Sequence, residues 1–183
     1  MELNKIMNYL SHFQYKLIIF ANAFAKKANK ALTMIKDAWI QQIKAQLPFA
    51  PTSGQNCGIN IVGAFLADRN DHVLMILRGS AGTGKTSVAR AIVMAMRQMK
   101  QKVVLLAPTG RAAKVFAHGA QQSAYTIHRH IYRQKTFVAD GGEFNLNDNL
   151  HTDTLFMVDE ASMISTDTLS PMSFGSGNLL DDL

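Results

Sequence analysis

Apolar and polar positions divide the chain into a helical first quarter, a second helix, and then strands alternating with helices. Residues 1–47 read as helix with lysines on a polar face, and Met34 to Leu47 is the clearest amphipathic stretch. Pro48 and Pro51 stop that helix and mark a linker. Thr52 or Ser53 can cap a further helix to about Ala67, with Ile59, Ile61, Val62, Phe65 and Leu66 turned to a core. After the polar stretch 68–71, His72 to Leu77 is short, apolar and bounded by a glycine turn, and it reads as a buried strand. Helix is expected from Lys85 to about Met99, over Gly110 to His118, and over Thr126 to Gln134. Val103 to Ala107 reads as a second buried strand, 136–150 as a loop rich in Gly, Asn and Asp, and Leu155 to Val158 as a third strand ending in Asp159 and Glu160. Strands that are apolar throughout, alternating with helices, predict an α/β fold whose parallel sheet is covered on both faces.

The composition of the 183 residues, 48% hydrophobic and 17% charged, excludes a disordered, collagen-like or coiled-coil chain and suits one domain or slightly more. A single cysteine, Cys57, excludes an internal disulfide framework and fits a reducing, cytoplasmic setting. The longest apolar run, Leu17 to Ala25, falls well short of the ~18 residues that cross a bilayer. Lys16 before it and Ala21-Asn22-Ala23 within it loosely resemble a secretory signal, but Glu2 in the leader and Lys26, Lys27 and Lys30 behind favour an amphipathic helix.

Charge is unevenly spread. Residues 138–183 hold nine of the thirteen acids and neither lysine nor arginine, whereas 101–137 hold six basic residues and no acid. Such a basic body attracts polyphosphate or nucleic acid.

The most specific signal is Gly79-Ser80-Ala81-Gly82-Thr83-Gly84-Lys85-Thr86, followed by Ser87, set between the first expected strand and a helix. Its glycines allow successive backbone N–H groups to converge on one phosphate chain, and the helix start adds free amides and a positive dipole end. Lys85 would meet the β- and γ-phosphates of ATP, and the Thr86 hydroxyl would ligate Mg²⁺. The acidic partner should stand at the end of a neighbouring apolar strand, and Asp159 does, with Glu160 next to it as general base for an attacking water.

Between these motifs lie Ala107-Pro108-Thr109-Gly110-Arg111-Ala112-Ala113-Lys114 and Thr126-Ile127-His128-Arg129, and the acids continue as Asp159-Glu160-Ala161-Ser162-Met163. With the phosphate loop, these strings closely resemble the first motor domain of superfamily-one DNA helicases of the RecD-like type, over roughly Phe49 to Leu183. The resemblance implies a RecA-like phosphate-loop NTPase domain over 48–183, behind a helical extension over 1–47. It further implies ATP and Mg²⁺ as cofactors, single-stranded DNA as partner, no membrane, and 5′–3′ unwinding. It places Gln55, in Pro51-Thr52-Ser53-Gly54-Gln55, against the adenine edge, which an amide can both donate to and accept from. Pro108 and Thr109, at a strand tip where ligands of open α/β sheets bind, are the expected DNA contacts, together with His128. His128 could equally be a buried core histidine, and Arg111 and Lys114 solvated helix charges; His118, His130 and His151 lack metal-ligand spacing.

The family also has a glutamine sensor motif, a second RecA-like domain and an arginine that completes the ATP site, and these do not occur before Leu183. The sheet is therefore expected to be incomplete at the C-terminus, and the chain alone to hydrolyse ATP poorly. A non-catalytic nucleotide- or DNA-binding chain, or another phosphate-loop enzyme such as a kinase, are the alternatives; a kinase would need lid arginines in 138–183, where there are none.

Overall fold

The computed structural model describes residues 17–21, 29–68, 73–134, 144–164, 178–179 and 182–183. In chain order its elements are β1 (Leu17–Ala21), α1 (Asn29–Ala45), α2 (Ser53–Ala67), β2 (Val73–Leu77), α3 (Lys85–Gln98) and β3 (Lys102–Ala107). There follow α4 (Gly110–Ala120), β4 (Ala124–Thr126), α5 (Ile127–Ile131), β5 (Tyr132–Gln134), β6 (Phe144–Leu146), β7 (Thr154–Asp159) and a 3-10 turn (Ala161–Met163). Five strands join in one sheet in the order β2-β1-β7-β3-β4, and β5 and β6 form a separate two-stranded ribbon. The fold is α/β, as the apolar pattern predicts, and α2, α3, α4, β2, β3 and β7 stand where that pattern places them.

Three local expectations need correction. Residues 17–21 are a strand and not part of a helix running from the N-terminus. The stretch LIIFA is apolar and rich in β-branched residues, and it is hydrogen-bonded on both sides, a non-local pairing that helical periodicity cannot register. The sheet is consequently mixed: β3 runs parallel to β7 and to β4, whereas β1 is antiparallel to both β2 and β7. The helix expected to Gln134 ends at Ile131, and β5 pairs antiparallel with β6 inside the stretch read as a loop. The remainder of the expected N-terminal helix before Asn29, His72 of the expected strand, and 136–143 of the expected loop lie outside the described residues.

The core forms on both faces of the sheet. Met75, Leu105, Leu155 and Met157 pack with α1, α2, α3 and α4 through Trp39, Ile43, Ile59, Val62, Ile92, Met96 and Phe116. Leu106 and Val158 point the other way, to Ile127, Ala161 and Ile164, with Leu179 and Leu183 packed against them. Alternate residues of β3 and β7 therefore serve opposite cores, which is why these strands are apolar throughout. Ile61 is a correction: it is 54% exposed, whereas Ile59, Val62, Gly63, Leu66 and Ala67 of α2 are buried and Phe65 packs against the core. Among the described residues no helix is long and apolar enough to cross a membrane.

At the crossing of α1 and α2 the helices approach closely over Gly63, where a Cβ would lie 2.5 Å from Ile40 Cγ1 and 3.2 Å from the Lys36 carbonyl oxygen. On the other face, His130 stacks between Tyr125 (centroids 6.3 Å apart) and His151 (5.2 Å), with Phe156 edge-on beneath both imidazoles. Burial first, and the neighbouring His151 second, hold the His130 pKa below its ordinary value.

Two outcomes follow. Gly63→Ala, which overpacks the crossing, should cost ~1–3 kcal/mol and lower the thermal midpoint, read by circular dichroism; an unchanged midpoint would mean that the helices separate freely. Because the folded state favours neutral His130, its contribution is complete above about pH 6.5 and declines as pH falls below that value. Urea midpoints should accordingly fall less between pH 7 and pH 5 in His130→Phe than in the parent.

Candidate functional site

The strands β2, β7, β3 and β4 all point the same way, so their C-terminal ends make one edge of the sheet. Leu17 pairs with Leu77, the last residue of β2, and also with Asp159, the last residue of β7. With neighbouring strands ~4.8 Å apart, the two strand ends stand only ~10 Å from each other. The acid strand is thus the next but one to the loop strand and not its neighbour as expected, yet β1 holds the two ends level.

The glycine loop leaves β2 and turns into α3 at Lys85. Gly82 and Gly84 have φ of +78° and +82°, a region that side chains disfavour. Gly84 is the N-cap of α3 and has no side chain with which to cap it, so the first amides of the helix receive no bond of that kind. Lys85 Nζ curls back to donate to the Gly79 and Ser80 carbonyls, at 2.5 Å each, and to Thr83 Oγ1 at 3.4 Å. Thr83 Oγ1 in turn donates to the Ser80 carbonyl at 2.9 Å. The ammonium therefore lies within the curve of the loop, attracted to carbonyls that present partial negative charge.

Gln55 meets this loop from the side. Thr52 caps α2 reciprocally: its Oγ1 accepts from Gln55 N, and its own N–H donates to Gln55 Oε1 at 3.0 Å. Gln55 Nε2 donates to the Thr83 carbonyl at 3.0 Å. Thr86 and Ser87 open α3, and the Thr86 methyl faces α4, 3.3 Å from where a Cβ of Gly119 would stand. Gly119 is a supporting position that the sequence did not disclose, because only its partner from another helix gives it meaning.

Asp159 and Glu160 are both half-buried. Asp159 Oδ1 accepts from Glu160 N at 3.0 Å, and Glu160 takes a left-handed conformation (φ +53°) before the 3-10 turn. A glutamate in that region is uncommon and aims its side chain differently from a continuing strand. The donor set suits a magnesium nucleotide: hydroxyl and carboxylate oxygens for a hard cation, and an ammonium and free amides for phosphate.

Farther along the edge, Ala107 of β3 pairs with Thr126 of β4, which brings 108–109 alongside 126–128. Thr109 Oγ1 caps α4, accepting from Ala112 N at 3.2 Å, and Thr126 Oγ1 caps α5, accepting from Arg129 N at 3.2 Å. Each hydroxyl keeps its proton to donate. Pro108 is half-buried, and Thr109 and His128 are exposed, so His128 is not a core histidine; its ring leans on Tyr132 at 5.7 Å. The structure thus brings every sequence-predicted site residue to one edge, with Gln55 joining it from α2.

A family model described as "AAA domain" matches residues 60–173. The ATP-dependent RecD2 DNA helicase of Deinococcus radiodurans is 33% identical over 95 residues, 51% of this chain and 13% of that protein. The ATP-dependent DNA helicase dda of Enterobacteria phage T4 is 35% identical over 78 residues, 42% of this chain and 17% of that protein. An uncharacterised protein of Methanocaldococcus jannaschii is 33% identical over 106 residues, 51% of this chain and 9% of that protein. The chain therefore covers less than a fifth of each relative's length.

Two glycines provide opposite tests of the loop. Gly84→Ala should lower stability by ~1–2 kcal/mol, since φ is positive and the new methyl would lie 2.5 Å from Gln55 Nε2. Gly54→Ala, in α2 with nothing within 4 Å of its Cβ, should be neutral or gain ~0.5–1 kcal/mol. Equal thermal midpoints for the two variants would contradict the loop conformation.

Proposed function

The chain belongs to the AAA domain family and is similar over part of its length to the RecD2 and dda helicases, and on that footing we propose that it is the ATP-binding motor element of a DNA helicase. The observation that carries this reading is the levelling of loop and acids across Leu17. Residues 79–87 would cradle the phosphates, with Lys85 leaving the loop carbonyls for the β- and γ-phosphates. Thr86 and Asp159 would hold Mg²⁺, which supplies charge neutralisation of the phosphate oxygens when bound. Glu160 would accept the proton of the attacking water as the bond between the γ-phosphorus and the bridging oxygen breaks, releasing ADP and phosphate.

Single-stranded DNA would lie over Pro108, Thr109 and His128, next to the nucleotide along the same edge. Hydroxyl donors and an exposed imidazole there suit phosphate and base contacts. The direction of unwinding, 5′–3′, and the assignment of 48–183 to a RecA-like domain are part of this proposal and rest on resemblance.

The test is titration of Mg²⁺·ATP into the full chain, followed by phosphate release with and without oligo(dT). Lys85→Ala should weaken ATP binding about 10–100-fold, the worth of its charged hydrogen bonds. Thr109→Asp, which can still cap α4, should weaken oligo(dT) binding while leaving ATP binding intact. ATP binding unaffected by Lys85→Ala would overturn the reading. ATP hydrolysis indifferent to DNA, with transfer of phosphate to a small acceptor, would favour a kinase.

A further inference from the structure

We propose that Asp182 and Tyr132 are positioning residues for the DNA edge: the carboxylate fixes the phenol, and the phenol ring holds the exposed imidazole of His128. The inference rests on the DNA-edge reading above and deepens it, because it gives control of one contact to residues outside the motifs that suggest it.

His128 stands on α5, which is five residues long, barely more than one turn. A helix that short does not hold itself together in water, so its position comes from its neighbours. Thr126 caps its start. Its end is tied by two backbone bonds: Tyr132 N donates to the His128 carbonyl, and Asn147 N, from beyond the ribbon, donates to the Ile131 carbonyl at 2.7 Å. Beneath it, buried Ile127 and half-buried Ile131 belong to the core that also receives Leu179 and Leu183. Those two leucines therefore bring Asp182 to the end of α5, and a bond from Asp182 N to the Asn178 carbonyl at 3.2 Å sets the local turn.

Tyr132 Oη donates to Asp182 Oδ2 at 2.5 Å, the short separation of a hydroxyl on an ionised carboxylate. Burial first, then the bond to Asp182 and its charge, hold the phenol pKa above its ordinary value, so the hydroxyl stays a donor at neutral pH. The tyrosine is thus fixed at both ends, by its backbone at the helix end and by its hydroxyl at Asp182. Its ring is buried, and the His128 ring rests on it, centroids 5.7 Å apart and planes tilted by 48°. An exposed imidazole loses rotamer freedom when it meets a ligand, and a fixed ring beside it reduces that loss in advance. The chain of action runs from Asp182 through Tyr132 to His128.

Anisotropy of labelled oligo(dT), titrated with the full chain, tests this. Tyr132→Phe keeps the ring in the core and removes only the hydroxyl, whereas Asp182→Ala removes its acceptor. Each should weaken oligo(dT) binding roughly five- to tenfold, about what one hydrogen bond is worth. Mg²⁺·ATP affinity should stay unchanged, with circular dichroism showing a folded chain. Asp182→Asn, which retains an oxygen for the phenol, should recover most of the lost affinity. In a His128→Ala background, Tyr132→Phe should cost nothing further, because its effect passes through the imidazole. A full additional loss in that background would make the phenol a general prop of the fold and overturn the proposal. Tighter binding by both Asp182 variants would make the acid a repulsive cover on the edge and overturn it too, as would an unchanged affinity in Tyr132→Phe. If the parent chain binds no oligo(dT), the DNA-edge reading fails and the proposal falls with it.

Discussion

Backbone pairing in the middle of the sheet is the constraint on which the site depends. β1 is hydrogen-bonded along both edges, and its first residue faces the last residue of β2 on one side and of β7 on the other. A shift of two residues on either side would carry one strand end ~7 Å along the strand direction, enough to part the proposed magnesium ion from Thr86 or from Asp159. A shift of one would also turn inward-facing residues such as Met75 or Met157 to the opposite face. Core packing on both faces therefore fixes the register, and the register fixes the chemistry.

The loop shows a complementary economy. Its glycines permit the turn, but its shape comes from partners: Lys85 on the Gly79 and Ser80 carbonyls, Thr83 on Ser80, and Gln55 on Thr83. An arriving triphosphate would exchange oxygens for carbonyls around the same ammonium, so little reorganisation is needed at the moment of binding. The Thr86 methyl, seated at Gly119, ties the start of α3 to α4.

Much of this was legible in the sequence, for identifiable reasons. The elements with strong local signals, namely α2 with its Thr52 cap, α3, α4, and the apolar strands β2, β3 and β7, stand where the pattern put them. The phosphate loop and the acid pair were visible because their chemistry demands fixed residue types at fixed spacing. What was missed depends on contacts distant in sequence. LIIFA has no alternation to betray a strand, and only pairing on both sides makes it one. β4, β5 and β6 are three residues each, too short for any periodicity to emerge. Ile61 shows the reverse failure, since an apolar residue at nearly the right spacing still lies outside the buried stripe of α2. The left-handed backbone of Glu160 likewise carries no sequence signature, because glutamate rarely adopts it.

The most direct test of the account is crystallographic: crystals of the full chain grown with Mn²⁺ and a non-hydrolysable ATP analogue, with the metal located by its anomalous signal. A single peak within coordination distance, or one water away, of both the Thr86 hydroxyl and the Asp159 carboxylate is the result the account predicts. A metal held by only one of them, or strand ends of β2 and β7 separated by more than one intervening strand, would contradict it.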